Sequence, residues 1–311
     1  MYPYNHKKGQ TIQTDVNGVS VDHAFLAHYN IPAASASAES DAGVMALTVL
    51  GTAAASVTAG LTSPAVPRNV KVDCSKVGIT SDVTVHGTNF AGEEIEETIA
   101  LNGTTANAGA LAFKTVTKVD LPARTNAPAY QVATVAVTQG AQGAGSTVFT
   151  FVSAATGAAF DVTVAFAVGD DTTAEAAVKL RAGLNANSTF AAKWTAGGAD
   201  ANVTLTAKDY TAQDDTINLT VKTAGVSAIT LGAITVDTTA GVAEDKVSVG
   251  LGKKFGVPYM LPASTLVIVK NFGNAADSGT VTADADEIEK NVIALNSTPD
   301  GLNPIDLYII V

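Results

Sequence analysis

The sequence predicts a mainly β protein: an antiparallel β-sandwich or barrel-like domain, discontinuous along the chain, with a small inserted α+β module of Ig-like size and an N-terminal arm. Three observations carry this. Charged residues are only 15 % of the chain, against about 25 % in an average soluble protein. Thr, Val, Ala and Gly take their place, and the branched side chains of Thr and Val fit a pleated surface. Much of the chain alternates apolar and polar residues with period two, which puts one face of a strand on a core and the other in water. One segment alone carries a helix signal with a start.

Residues 1–45 mix polar and aromatic side chains without period, and Ala33 to Ala42 is a small-residue, linker-like run. They read as an arm, with His23, Phe25, Leu26 and Tyr29 as residues that could dock on a neighbour, and an ordered arm of this type packs on another subunit or on its own domain. Residues 43–66 carry no charge. Gly51, Gly60, Pro64 and many Thr and Ala make them too weakly apolar for a membrane span, and a strand pair turning near Gly51 is the expectation.

Over 46–128 the alternation is clear. Val70, Val72 and Cys74 oppose Lys71 and Asp73; Val83 and Val85 oppose Thr84 and His86; Ile95, Ile99 and Leu101 oppose Glu94, Glu96 and Thr98. Gly78, Gly87-Thr-Asn89, Gly92 and Asn102-Gly103 read as turns. Residues 129–245 change character. Strands are expected over 147–152 and 160–168, then a helix from Thr172 with Glu175 three residues on, the spacing of a capping box. Ala177, Leu180 and Leu184 form its apolar stripe, and Asp170 and Asp171 suit its positive end. Trp194, Val203, Leu205 and strands over 217–221 and 229–236 complete a β-β-α-β-β module with Trp194 in its core. Over 246–311 the first style returns. Val247, Val249 and Leu251 alternate with Lys246, Ser248 and Gly250; Leu266 and Ile268 oppose Val267 and Val269; Ile305, Leu307, Ile309 and Val311 end the chain on a sheet-paired strand. The two flanking parts, 46–128 and 246–311, are expected to form one domain with the module inserted between them.

Net charge is −11. The 18 basic residues are scattered, with one tight group at His6, Lys7 and Lys8, so the clustered cations a nucleic-acid binder needs are missing. One cysteine, Cys74, excludes an intrachain disulfide and a Cys-rich metal site. Residues 1–8 lack the apolar core of a signal peptide, and a soluble protein made in the cytoplasm is expected.

The motifs that carry chemistry are sparse. His6, His23, His28 and His86 have no ligand cluster at metal spacing. Gly250-Leu-Gly-Lys-Lys254 lacks the upstream Gly and the Ser or Thr of a phosphate loop and reads as a turn. Glu93-Glu94-Ile95-Glu96-Glu97 reads as a solvated strand face, since sugar hydrolysis by paired carboxylates needs a cleft and aromatic platforms and aromatics are 6 %. Asp284 and Asp286 could hold Ca²⁺ weakly but lack the EF-hand spacing. The Asn-x-Thr triplets at Asn102, Asn202, Asn218 and Asn296, and Asn187-Ser-Thr, follow from the abundance of Thr. No catalytic, cofactor-binding or metal residue is assigned, and no enzyme is expected.

Several stretches resemble a family of tailed-bacteriophage virion proteins: Val66-Pro-Arg-Asn-Val-Lys-Val72, Val83-Thr-Val-His-Gly-Thr-Asn-Phe-Ala-Gly-Glu-Glu-Ile95, Glu97-Thr-Ile-Ala-Leu-Asn-Gly103, Phe113-Lys-Thr-Val-Thr-Lys-Val119, Asp245-Lys-Val-Ser-Val-Gly-Leu-Gly-Lys-Lys-Phe-Gly-Val-Pro-Tyr259 and the ending 291–311. In similar proteins the Phe113 stretch runs almost directly into the Val247 stretch, which agrees with the insertion. The insert, with Thr172-Thr-Ala-Glu-Ala-Ala177, Leu184-Asn-Ala-Asn187 and Val203-Thr-Leu-Thr-Ala-Lys208, is similar to an accessory module of phage structural proteins. The resemblance implies a virion component and carries no catalytic residue. Its best placement is a capsid decoration protein on the outer surface, where an acidic chain is spared packaged DNA. Its partners would be the major capsid protein and itself, a trimer favoured, with no nucleic acid, membrane or cofactor. A tail, collar or fibre protein and a carbohydrate-binding adhesin are the alternatives.

Overall fold

The computed structural model describes the backbone of residues 11–13, 20–22, 26–225, 227–261, 267–271 and 279–310. The fold is mainly β, antiparallel, and of the sandwich and barrel-like class. The chain forms two compact units, Met1–Thr125 with Asp245–Val311, and Asn126–Glu244.

The first unit is organised by the long strand Lys246–Gly256. It lies between Arg68–Cys74 on one edge and Ser40–Val49 followed by Val292–Ala294 on the other. Asn107–Phe113 and Thr280–Thr282 extend this sheet at its two ends. A second sheet runs Ala55–Val57, Thr115–Leu121, Asp82–Thr88, Glu94–Ala100. Between them Val70, Val72, Cys74, Val83, Val85, Ile99, Val119, Val247 and Val249 form one core. A third sheet pairs Ile305–Ile310 with Val267–Asn271 and Leu26–Ile31, and Ile305, Leu307 and Ile309 are fully buried. Short strands Thr11–Gln13 and Ser20–Asp22 pair with each other.

From residue 26 onward the expected arm packs on its own unit as strands. Leu26–Ile31 is a strand against Ile305–Ile310, and Ser40–Val49 is a strand against Lys246–Gly256. The linker-like run between them holds a single 3₁₀ turn, Ala33–Ser35. Tyr29 packs on the core of Ile31, Phe255 and Leu307. His6, His23, Phe25, Leu266 and Val311 lie outside the described residues. The expected strand pair around Gly51 is corrected: Ser40–Val49 and Ala55–Val57 both form but join different sheets.

Gly250-Leu-Gly-Lys-Lys254 is no turn but the middle of the long strand. A Cβ on Gly250 would stand 1.7 Å from the Ser40 carbonyl oxygen, and one on Gly252 would stand 2.3 Å from Asn69 Oδ1. Gly250 lets neighbouring backbone close in, and Gly252 leaves room for the Asn69 side chain. Gly87 does the same as Gly250 within Asp82–Thr88, where a Cβ would meet the Thr115 oxygen at 1.8 Å. Gly78, Gly92 and Gly103 do turn the chain, at φ of 86°, 90° and 55°.

Among the described residues the second unit has two sheets and two α-helices. Val132–Gln139 is the hub of one sheet, pairing Asn202–Ala207 on one edge and Thr230–Leu231 with Thr235–Thr239 on the other; Trp194–Gly197 extends it. The other sheet runs Phe160–Phe166, Gly145–Val152, Asn218–Thr223. Helix Thr173–Ala186 begins at the predicted capping box: Thr172 accepts from the Glu175 N–H, and Glu175 accepts from the Thr172 N–H. Ala177, Leu180 and Leu184 are fully buried on its inner face. Asn187 starts a second helix, Ser188–Lys193, which the pattern did not predict; its side chain accepts from the Phe190 N–H at 3.1 Å. Trp194 is 1 % exposed and its indole N–H donates to Ser153 Oγ at 3.1 Å.

Candidate functional site

The residues weighed for chemistry are dispersed, and most hold the fold together. His86 sits on Asp82–Thr88 opposite Glu96 in register. Its Nε2 lies 2.7 Å from Asp120 Oδ2 and its Nδ1 lies 3.2 Å from Glu96 Oε2. Lys118 Nζ stands 2.9 Å from the same Asp120 oxygen, and the Ser56 hydroxyl donates to Asp120 Oδ1 at 2.5 Å. Four strands thus meet in one polar cluster on the outer face of the second sheet. Beside it lies a groove of about 470 Å³ lined by His86, Thr88, Glu94, Glu96, Thr117 and Lys118.

The order of groups decides what this cluster can do. The serine hydroxyl faces Asp120, not the imidazole, so His86 has no hydroxyl to activate. Both ring nitrogens are committed to carboxylates. The arrangement ties Ala55–Val57, Thr115–Leu121, Asp82–Thr88 and Glu94–Ala100 across the sheet.

The Ser56 hydroxyl first, then the Lys118 ammonium and His86, hold the Asp120 carboxyl down to about 2, against its partial desolvation. A depressed carboxylate contributes stability that is complete above its unfolded value near 4 and is lost as pH falls through the folded value. Wild-type Tm is therefore expected to fall more steeply than that of Asp120→Asn between about pH 4 and pH 2. Parallel Tm curves for the two proteins would show that Asp120 is not a stabilising anion.

A similar clamp involves His28, whose Nε2 lies 2.7 Å from Asp306 Oδ1. The Asn30 amide donates to the same oxygen at 2.9 Å, and the His28 ring stacks on Tyr308 at 4.8 Å between centroids. The acidic run behaves as two faces: Glu93, Glu94 and Glu96 are exposed, whereas Glu97 turns in and accepts from the Ala110 and Leu111 N–H groups. Burial raises the Glu97 pKa, and those two hydrogen bonds oppose the rise. Asp284 Oδ1 accepts from the Asp286 and Glu287 N–H groups and so caps a turn. Among the described residues no three His, Cys, Asp or Glu side chains gather as a metal site, and no helix is long and apolar enough to cross a membrane.

Sequence reasoning missed the buried charges of the long sheet. Lys71 was expected on a solvated face but is nearly buried, with Nζ 2.7 Å from Asp41 and 3.4 Å from Glu39. Burial would lower its pKa; the two carboxylates outweigh it and raise it. Arg68 is 1 % exposed, donates to the Gly252 carbonyl and to the Ser37 carbonyl, and lies 4.5 Å from the centre of the Phe255 ring. Burial lowers its pKa to about 10, so it remains a cation at neutral pH. The Cys74 thiol is pushed up to about 11 by burial and by Asp73 and Asp245, which leaves little nucleophilic thiolate.

In the second unit a cleft of about 440 Å³ lies over Trp194 and Ala207, rimmed by Lys193, Asp209, Gln213 and Asp214. Asp214 is already occupied by Ser153, the Ala154 N–H and Thr216. Tyr130 and Tyr210 stack at 4.1 Å and stay exposed. Comparison of the chain with protein-family models, with curated proteins and with solved structures returns no match.

Proposed function

We propose that this chain is a non-enzymatic structural component of a tailed-bacteriophage particle, a decoration protein on the outer surface of the capsid. The observation that carries the reading is where the second unit enters. The chain leaves the first unit at Thr125 and returns at Asp245, and the Thr125 N–H donates to Asp245 Oδ2 at 2.8 Å. The stretches 113–119 and 245–259, which resemble adjoining stretches of phage virion proteins, are thus neighbours in one body, with the second unit interrupting them at a closed junction. The polar clusters support the same reading, because they bind strands to one another. A net charge of −11 favours a site remote from packaged DNA.

Quantitative mass spectrometry of purified particles tests this. Decoration requires copies in the hundreds relative to the major capsid protein. A handful of copies would move the chain to the tail or collar, and none would remove it from the virion. One observation favours an adhesin as the second reading: the exposed Tyr130–Tyr210 stack is a surface on which a sugar ring could lie. Trp194 is not available for that role, since it is buried. A glycan-array signal lost in Tyr210→Ala would promote this reading.

A further inference from the structure

Tyr130 and Tyr210 stack at 4.1 Å between ring centroids with their planes 14° apart, and both stay open to water, at 41 % and 38 % exposure. The Tyr130 hydroxyl is also hydrogen-bonded to Tyr210. The pair lies on the surface of the second unit, yet it is held from both sides. Tyr130 follows Ala129, whose N–H and carbonyl bond the carbonyl and N–H of Val242, and precedes Gln131, which is 1 % exposed. The Gln131 carbonyl accepts from the Ala207 N–H at 2.9 Å, and its side-chain amide bonds both the N–H and the carbonyl of Asp214 at 2.9 Å. Tyr210 sits between those two anchors. Gln213 adds a third tie, donating to the Val236 carbonyl at 3.1 Å and accepting from the Gly241 N–H at 2.8 Å.

We propose that this pair is a site of oxidative modification, at which a peroxide acting through a haem peroxidase joins Tyr130 and Tyr210 by a carbon–carbon bond into a dityrosine. Each phenol gives up one electron and its hydroxyl proton, which leaves two phenoxyl radicals. The radicals pair through a ring carbon beside each oxygen. The hydrogens on those two carbons then move to the oxygens and restore both hydroxyls. The net loss is two electrons and two protons, and one peroxide molecule takes up both and becomes two waters. The hydrogen bond to Tyr210, with Asp209 and Glu244 adding to it, holds the Tyr130 pKa above its usual value. Tyr130 is therefore a neutral phenol at pH 7, and its proton leaves with the electron to the water that reaches the ring.

The stack decides which product forms. Each ring has the other in contact, a local concentration about a thousandfold or more above that of a second chain at micromolar concentration. Coupling within one chain therefore outruns coupling between chains. Exposure leaves the rings room to turn from face to edge as the bond forms. Other oxidisable side chains are shielded: Trp194 and Cys74 are buried, and Tyr29, Tyr259 and Tyr308 are half-buried.

Treatment of the full chain with hydrogen peroxide and a haem peroxidase tests the inference. The expected product has the blue fluorescence of dityrosine, is two hydrogen atoms lighter, and still migrates as one chain of 31.4 kDa. Its tryptic peptides carrying Tyr130 and Tyr210 should be joined. The new bond closes a long loop, so the urea midpoint of the second unit, read by Trp194 fluorescence, should rise. Tyr130→Phe and Tyr210→Phe each keep the ring but lack the hydroxyl from which a phenoxyl radical forms, and the dityrosine yield should fall by about tenfold or more. Undiminished yield in folded Tyr210→Phe, a cross-link mapped to any other pair of the seven tyrosines, or chain dimers as the main product would overturn the proposal. So would the absence of dityrosine under conditions that couple a free tyrosine peptide. The reaction is read on the purified chain, so its failure is separate from a failure of capsid attachment or of glycan binding.

Discussion

Phe151→Ala is expected to lower the stability of the second unit by about 3–5 kcal/mol, the range for truncating a fully buried aromatic ring. Phe151 lies at the centre of that unit's core. Its ring meets Phe190 at 5.1 Å, Phe160 at 5.5 Å and Trp194 at 6.1 Å between centroids. The three contacts come from a neighbouring strand, the second helix and the strand that follows it, so the vacated space cannot be filled by one side chain moving in. Trp194 is the single tryptophan, and its fluorescence reports unfolding of this unit in urea. The core around Phe151 is built entirely from residues of the second unit. Hydrogen exchange in peptides of the first unit should therefore be unchanged by the substitution. A loss below about 1 kcal/mol, or equal loosening of both units, would show that the core is not organised in this way.

The parts of this fold that were legible in the sequence are those set by local physics. The Thr172 and Glu175 box marks a helix start because each side chain satisfies a backbone N–H one turn away. The parity of Val83 and Val85 follows from a strand with one dry and one more open face, and that of Ile305, Leu307 and Ile309 from apolar side chains sharing one face of a strand. Val132–Gln139 escaped notice although it is a hub: Val132 and Ala136 are half-buried on the face opposite Ala133, Val135 and Val137, which blurs the alternation. Asn187 counts among the triplets that Thr abundance explains, yet Asn is also a strong helix N-cap, and here its side chain accepts from the Phe190 N–H.

Pairing across the chain was not legible, because nothing in a local pattern names a distant partner. Leu26–Ile31 looked like part of an arm since its partner, Ile305–Ile310, lies near the other end of the sequence. The long-strand glycines looked like turns because glycine serves both a positive φ and a close backbone approach. The polar clusters share this cause. His86 and Asp120 come from separate strands, and only the sheet order places Thr115–Leu121 beside Asp82–Thr88. Lys71 looked solvated because a period-two reading assumes one wet face, whereas Ser40–Val49 supplies Asp41 and the preceding residues supply Glu39.

The largest loss in the first unit is expected from Lys76→Met. Asp245 closes the junction where the chain leaves and returns. Its side chain is fully buried, Lys76 Nζ lies 2.6 Å from Oδ1, and Oδ2 accepts from the Thr125 N–H. Its carbonyl accepts from the Leu50 N–H at 2.8 Å, and the Ser75 N–H donates to the Lys246 carbonyl at 3.0 Å. Removing the ammonium leaves a desolvated carboxylate without the cation that faces it, and breaking such a pair from one side costs about 3–5 kcal/mol. Asp245→Asn in the same background removes the charge and keeps a side-chain oxygen for the Thr125 N–H. The double variant should therefore recover part of the loss, and a double-mutant cycle in urea would show coupling of roughly 1–3 kcal/mol. Lys76 is 21 % exposed, so water competes for its ammonium and sets the lower end of that range. A Lys76→Met cost under about 1 kcal/mol, with no coupling to Asp245→Asn, would mean that the pair behaves as a surface ion pair. The junction would then be held by its backbone hydrogen bonds.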